Sequence, residues 1–144
     1  MQDADRPLSD LGRQQAKRVA SFMARNALTV DTILCSPLLR AQETAEPFRV
    51  HFSKAAFATS ELLASSTRPK PLLAEIAKHS SGSMLLVGHD PILSTLLSSL
   101  VSGDDAFKAE FGKATLALVQ SSGTLQINRC HLSWLMPVAF MPHH

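Results

Sequence analysis

The sequence predicts an α/β fold: a three-layer sandwich with helices on both faces of a mostly parallel sheet, followed by a carboxyl-terminal antiparallel hairpin. Two places carry this prediction, Ser36-Pro37 and Asp90-Pro91, where a short apolar run ends in a helix-capping residue and a proline. Strand–helix units of this kind connect by right-handed crossovers and build parallel sheets. The length of 144 residues fits one domain, spanning 1–144.

The composition is typical of a soluble globular protein and argues against several functional classes. The chain is 45% hydrophobic and 18% charged, which is enough to bury a core without disulfide or metal staples. A net charge of +2 without a basic tract gives no reason to expect a nucleic-acid partner. No apolar run approaches the roughly 20 residues of a membrane span, so no membrane partner is expected. Only two cysteines occur, and the default compartment is the reducing cytoplasm.

The first predicted helix follows Ser9, a favourable N-cap, and has Asp10 in its first turn. Its apolar positions recur with helical spacing and predict one buried stripe: Ala16, Val19, Ala20 and Met23. Thr32–Cys35 then reads as a buried strand. The next helix is expected to begin at Pro37, although Pro47 should kink or end it. The alternation after Pro47 would also suit a strand, and we prefer the helix.

The second unit consists of a helix over Pro71–Lys78, a strand over Met84–Val87 and a helix after Asp90-Pro91 that stops before Gly103. No strand is predicted between Pro47 and Pro71.

The tail predicts a hairpin. Thr115–Val119 and Leu125–Asn128 are expected to pair across Ser121-Ser122-Gly123. Leu125 and Ile127 stand at odd positions, whereas the apolar residues that continue the pattern, Leu132, Trp134 and Met136, stand at even ones. A bulge or turn near Cys130 would explain this shift.

Two polar junctions are the candidate functional residues, because open α/β sheets bind ligands beyond the carboxyl ends of their strands. Arg40 lies in a first helical turn, where free N–H groups and a guanidinium fork suit phosphate oxygens. His89 follows the other strand and could bind phosphate or move a proton near neutral pH. We predict that both lie at the ends of adjacent or near-adjacent strands and face one pocket. The alternative is a solvated helix-face arginine and a satisfied loop histidine.

Three segments together resemble the histidine phosphatase superfamily: Arg6–Ala16, Ser36–Ala45 and Val87–Pro91. Their order and spacing agree with that family, and the resemblance runs from about Arg6 to Pro137. The short layout without insertions is closest to the compact phosphohistidine phosphatases of the SixA type.

The resemblance implies a phosphatase that removes a phosphoryl group from phosphohistidine in a protein, through a covalent phosphohistidine intermediate. It implies that Arg40 clamps the phosphoryl oxygens, that His89 donates to them as charge builds, and that Ser36 contributes to substrate binding. Glu61 is the best-placed candidate for a general acid, with an exposed loop acid as the open alternative. No metal or other cofactor is implied. The implied partner is a phosphorylated protein, such as a histidine phosphotransfer domain, or a small phosphate ester.

One element of the family pattern is missing from these 144 residues. The family nucleophile is the histidine of an Arg-His-Gly or Arg-His-Ala motif at the end of a first strand, and no Arg-His pair occurs here. We therefore expect an amino-terminally truncated domain that lacks its first strand. The alternative is a non-catalytic pseudo-phosphatase that keeps a phosphate pocket. A cysteine phosphatase is disfavoured, because the spacing from Cys35 to Arg40 is one residue too short for the loop of that class.

Overall fold

The computed structural model describes residues 2–65, 68–79, 82–104, 112–121, 126 and 128–142. In the described part of the chain, no helix is long and apolar enough to cross a membrane. Short 3₁₀ helices lie at Asp3–Asp5 and Val138–Phe140. The other elements are α1 (Asp10–Arg25), β1 (Thr32–Cys35), α2 (Leu39–His51), β2 (Ala56–Thr59), α3 (Leu62–Ser65), α4 (Pro69–Lys78), β3 (Met84–Val87), α5 (Ile92–Ser102), β4 (Thr115–Ser121) and β5 (Cys130–Pro137).

The sheet has the predicted parallel centre. Strand β1 lies between β2 and β3 and pairs in parallel with both, so that Cys35 is opposite Thr59 on one side and Val87 on the other. Strands β4 and β5 form a separate antiparallel pair. The predicted fold class, a parallel sheet flanked by helices with a carboxyl-terminal antiparallel hairpin, is confirmed.

Strand β1 is buried on both faces, and this creates the three layers. Ile33 and Cys35 belong to a core shared with α1 and α2, whereas Leu34 belongs to a second core shared with α3, α4 and α5. Successive side chains of a strand point to opposite faces, so four consecutive apolar or small residues suit a strand covered on both sides.

Helix α1 forms as the sequence predicts. The Ser9 hydroxyl oxygen accepts a hydrogen bond from the Gly12 N–H at 3.1 Å, which satisfies one of the free donors at the helix start. The buried residues of α1 are the four of the predicted stripe: Ala16, Val19, Ala20 and Met23.

Two helix starts differ from the predicted ones. Helix α2 begins at Leu39 rather than Pro37, because the Ser36 hydroxyl accepts from the Leu38 N–H at 3.2 Å and Leu38 is still extended. Helix α4 begins at Pro69 rather than Pro71. Helix α5 begins at Ile92, directly after Asp90-Pro91 as predicted, and the Asp90 carboxylate accepts from the Ser94 N–H at 3.1 Å.

The helical prediction for the segment around Pro47 is confirmed, since α2 continues through this proline to His51. Helix α5 ends as predicted at Gly103, which adopts φ +84°, a left-handed conformation that costs glycine little.

Strand β2 and the short helix α3 were not predicted. The sequence of β2, Ala-Phe-Ala-Thr, has little β-branched character and sits at the sheet edge, where Ala56 and Thr59 are exposed. Its strand conformation comes from pairing with β1, which is a tertiary contact.

The hairpin forms, but its second strand is Cys130–Pro137, and the prediction of Leu125–Asn128 is wrong for the residues that the structure describes. Positions 122–125 and 127, which include the predicted turn, lie outside the described residues. The pairing shifts between Leu118 and Val119, which face Trp134 and Leu132. The extra residue is therefore Ser133, three positions beyond the bulge or turn predicted near Cys130.

Candidate active site

The carboxyl ends of β1, β2 and β3 meet at one edge of the parallel sheet, and each leads to a candidate residue. Strand β1 leads through Ser36 to Arg40 in the first turn of α2, and β3 leads through Gly88 to His89. Strand β2 leads to Glu61. Arg40 and His89 thus follow adjacent parallel strands, as the sequence predicts, and Glu61 follows the strand on the far side of β1.

The guanidinium group of Arg40 is held by the amino-terminal 3₁₀ helix. Its Nη1 donates to the Asp3 carbonyl oxygen at 3.0 Å, and its Nη2 lies 3.3 Å from the Asp3 carboxylate Oδ2. The Arg40 side chain keeps 28% of its surface exposed. Since a guanidinium carries five N–H donors, the group retains donors for a further anion.

The charges of Arg40 and Asp3 both act on the imidazole of His89. Its Nε2 atom is buried and finds no hydrogen-bond partner among the described residues. Burial, and then the positive charge of Arg40, lower the pKa of His89 below its usual 6.5, while the Asp3 carboxylate opposes the shift. Because Arg40 and Asp3 both influence the pKa of His89, we define the three residues as one electrostatic group. A buried ring nitrogen without a partner, under the influence of a guanidinium charge, is suited to bind an anion.

This arrangement predicts a measurable response of His89 to an anion. In an NMR pH titration of the free protein, with the signal identified by His89→Asn, the pKa of His89 should lie below 6.5 because of burial and the nearby Arg40. Saturating sulfate, which stays a dianion over pH 5–8, should raise that pKa because it favours the imidazolium. An unchanged pKa with sulfate would contradict a shared anion site.

The same shift predicts the sign of the pH effect on stability. The folded protein holds the His89 proton less tightly than the unfolded chain does, so this residue lowers stability as the pH falls from 6.5 towards the folded pKa.

Gly88 allows helix α3 to approach the end of β3. A Cβ atom at this position would lie 3.2 Å from Leu63 Cδ2 and 3.3 Å from the Leu63 carbonyl oxygen. Leu63 is fully buried in the core under the site. A side chain at position 88 would therefore require Leu63 to shift by a few tenths of an ångström.

Ser36 and Glu61 occupy different environments. Ser36 is fully buried; its N–H donates to the Val87 carbonyl at 2.9 Å and its hydroxyl oxygen organises the turn before α2. It thus fixes the spacing between β1 and β3, and its part in substrate binding stays a prediction. Glu61 is exposed in the turn before α3, and its role as a general acid also stays a prediction.

Cys35 lies one residue before Ser36 and is unsuited to act as a nucleophile. It is fully buried, its Sγ donates to the Ser36 carbonyl at 3.2 Å, and burial raises its pKa to about 12 despite an opposing contribution from Arg49. The thiolate is the reactive form, so this thiol is inert near neutral pH. In the residues that the structure describes, no three His, Cys, Asp or Glu side chains gather as a metal site would require.

The sequence did not point to Asp3 or Glu43 as part of this site. The Glu43 carboxylate accepts from the Leu8 N–H at 2.7 Å and from Arg13 Nη2 at 2.6 Å, and these two bonds lower its pKa. Glu43 is one helical turn after Arg40, so α2 holds the amino-terminal segment at two points. Asp3 and Arg40 are 37 positions apart, and no local spacing signals a contact over that distance.

A cavity of about 650 Å³ lies between β3 and β4. Its walls include Met84, Leu85 and Leu86 of β3, Leu96 and Leu97 of α5, and the whole of β4. Among the described residues β3 pairs only with β1, and β4 only with β5, so the two free strand edges border an apolar space.

Comparison with known proteins agrees with this geometry. The sequence model of the histidine phosphatase superfamily (branch 1) matches residues 1–64, which include Arg40. An uncharacterized protein of Mycobacterium tuberculosis is 32% identical over 112 residues, covering 75% of this chain and 68% of that protein. The chain belongs to the histidine phosphatase superfamily.

Solved structures share the fold of this chain over nearly its whole length. The protein histidine phosphatase SixA complexed with tungstate superimposes with a TM-score of 0.83 at 20% identity, covering 96% of this chain and 88% of that one. A putative SixA from Agrobacterium tumefaciens gives 0.79 at 24% identity, covering 94% and 86%. The fold is therefore SixA-like, with the layout of the compact members of the superfamily.

Proposed function

We propose that this chain is the phosphate-binding part of a phosphatase that removes a phosphoryl group from phosphohistidine in a protein. The observation that carries the proposal is the electrostatic group of Arg40 and the unpaired His89 at the ends of adjacent strands. Support also comes from the SixA structure, which binds tungstate, a tetrahedral oxyanion similar to phosphate. The proposed compartment is the cytoplasm, consistent with the free Cys35 and Cys130.

The proposed reaction has two steps at phosphorus. In the first, a ring nitrogen of the nucleophilic histidine attacks, the P–N bond to the substrate breaks, and the released substrate imidazole takes up a proton. In the second, water attacks the phosphoryl-enzyme, the new P–N bond breaks, and phosphate leaves while the water proton passes to a base. Arg40 and His89 would stabilise the charge on the phosphoryl oxygens in both steps. Glu61 is the candidate donor of the first proton.

The nucleophile is the component that residues 1–144 do not supply, and the cleft between β3 and β4 is the proposed place for it. An apolar strand lying parallel to β3 would pair with the free edge of β3 and fill the cavity next to β4. Such a strand would end at the same sheet edge as β1 and β3. A histidine directly after it would then lie beside Arg40 and His89.

A protein substrate is favoured over a small ester because the chain leaves little length for a lid. The connection from α5 to β4 is short, and the one from α2 to β3 is occupied by β2, α3 and α4. An open site suits a phosphoryl group on a folded domain, because the surface of the partner then excludes water. The second candidate function is a phosphate-binding module without turnover, in which Arg40 and His89 bind phosphate and no nucleophile attacks it.

The test adds the strand that is proposed to lie beside β3. A protein with about six apolar residues, Arg-His-Gly and a short linker before residue 1 should hydrolyse a phosphorylated histidine phosphotransfer domain. The kcat/KM of the extended protein for this domain should exceed its kcat/KM for a sugar phosphate by at least about tenfold, because remote contacts of a protein substrate stabilise the transition state. Residues 1–144 alone should show negligible turnover.

The matched control carries Arg-Asn-Gly in the same extension, which keeps the strand and removes the nucleophile. Binding of phosphate without turnover by the Arg-His-Gly protein would favour the pseudo-phosphatase. Turnover by the Arg-Asn-Gly protein or by residues 1–144 would show that the nucleophile lies elsewhere. A ratio near one between the two substrates would contradict the protein-substrate proposal.

A further inference from the structure

We propose that Asp3 is an internal anion that occupies both terminal nitrogens of Arg40 and competes with a phosphoryl group for them, so that the site binds free phosphate weakly. This inference rests on the proposed function, since it concerns the same anion site. In this proposal Asp3 is a positioning residue that acts through Arg40 and selects against free phosphate.

The contact between Asp3 and Arg40 uses two of the N–H donors that a phosphate could use. The Asp3 carbonyl accepts from Nη1 of Arg40 and the Asp3 carboxylate accepts from Nη2, so one residue engages both terminal nitrogens of the fork. Arginine can bind phosphate in a bidentate manner with this same pair of nitrogens. Full bidentate binding through those nitrogens therefore competes with Asp3.

The fold holds Asp3 at this position. Asp3 begins the 3₁₀ helix, in which its carbonyl also accepts from the Arg6 N–H at 3.2 Å. The chain is tied down a few residues later, where the Leu8 N–H donates to Glu43 on α2. Helix α2 therefore carries both Arg40, which Asp3 contacts, and Glu43, which anchors the amino-terminal segment that contains Asp3.

Asp3 also has a second cation available when Arg40 is taken by a ligand. Its Oδ1 lies 3.5 Å from Arg6 Nη2, whereas Oδ2 makes the contact with Arg40. The carboxylate can therefore turn from Arg40 towards Arg6 without becoming unpaired. The Asp3 side chain is 64% exposed, so displacement exposes no buried charge.

The expected consequence is selection against free phosphate. A phosphoryl group on a protein gains contacts across the partner surface that compensate for the loss of the Asp3–Arg40 pair. Inorganic phosphate has no such contacts and competes with the carboxylate directly. Removal of the carboxylate should therefore strengthen the binding of free phosphate.

The experiment measures the dissociation constant of inorganic phosphate for residues 1–144 by NMR titration at low ionic strength, with Asp3→Asn as the test variant. Asp3→Asn should bind phosphate about two- to fivefold more tightly than the unchanged protein, the range that an exposed ion pair supports. The gain should shrink in 0.5 M salt, because the pair is screened.

The matched control is Asp5→Asn, which removes the same charge from the same 3₁₀ helix. Among the described residues no hydrogen bond or ion pair joins Asp5 to Arg40, and the Asp5 backbone N–H donates to the Gln2 carbonyl oxygen. Asp5→Asn should leave the dissociation constant within about 1.5-fold, because general surface charge contributes little. An equal gain in both variants would overturn the proposal.

Arg40→Ala separates this inference from the proposed function. Phosphate binding that depends on Arg40 but is unchanged or weaker in Asp3→Asn would overturn the competition and leave the phosphate site in place. No Arg40-dependent binding in either protein would overturn the phosphate site itself, and the role of Asp3 with it.

Discussion

Arg40→Ala should lower kcat/KM of the strand-extended protein for a phosphorylated histidine phosphotransfer domain by about a hundredfold or more, the scale of losing one positioned transition-state donor. Arg40 and His89 follow adjacent parallel strands, and the positive charge of Arg40 would stabilise the negative charge that grows on the phosphoryl oxygens. Alanine removes the charge and the fork together. Steady-state kinetics with both proteins gives the ratio.

Arg25→Ala is the matched control for charge. Arg25 lies in the last turn of α1, is exposed, and makes no ion pair or side-chain hydrogen bond with the described residues. The control should keep kcat/KM within about twofold, since isolated surface charges have small effects. If Arg40→Ala retained more than a tenth of the activity, Arg40 would not be a phosphoryl-binding residue. A loss carried by KM alone, with kcat unchanged, would indicate uniform substrate binding instead of transition-state stabilisation.

Leu34→Ala should lower the free energy of unfolding by about 2–5 kcal/mol, because it leaves a cavity in the most enclosed part of the sheet. Leu34 is fully buried in β1 and packs in the core beneath α3, α4 and α5. Urea denaturation, followed by two spectroscopic probes whose transitions coincide, measures the change.

The control for Leu34→Ala is Val50→Ala, on the exposed side of α2. Val50 is 70% exposed, so its truncation should change the free energy of unfolding by no more than about 0.5 kcal/mol. Similar small losses in both variants would contradict the central, doubly covered position of β1. That position matters for function, because β1 sets the distance between Arg40 and the end of β3.

Two features of the candidate site follow from local sequence. The apolar runs Thr32–Cys35 and Met84–Val87 predict buried parallel strands, and the residues directly after them are the ones that the structure brings to one edge. The reason is geometric: parallel strands end on the same side of a sheet, so residues just past two such strands become neighbours without any further information. The same holds for Ser9 and Gly103, whose capping roles depend on their own backbone and side chains.

Other features were decided only by tertiary contacts. Strand β2 has a weak intrinsic preference for strand and acquires that conformation by hydrogen bonding to β1, whereas the partner of β4 proved to be Cys130–Pro137. The contact between Arg40 and Asp3 joins residues that are distant in the chain. It forms because Glu43, on the same helix as Arg40, holds the amino-terminal segment against α2. Local sequence patterns show the periodicity of a single helix or strand and the residues that begin or end it. Whether a segment with weak strand preference pairs with a neighbour, or whether two distant charges meet, depends on which surfaces the packed core brings within hydrogen-bonding distance.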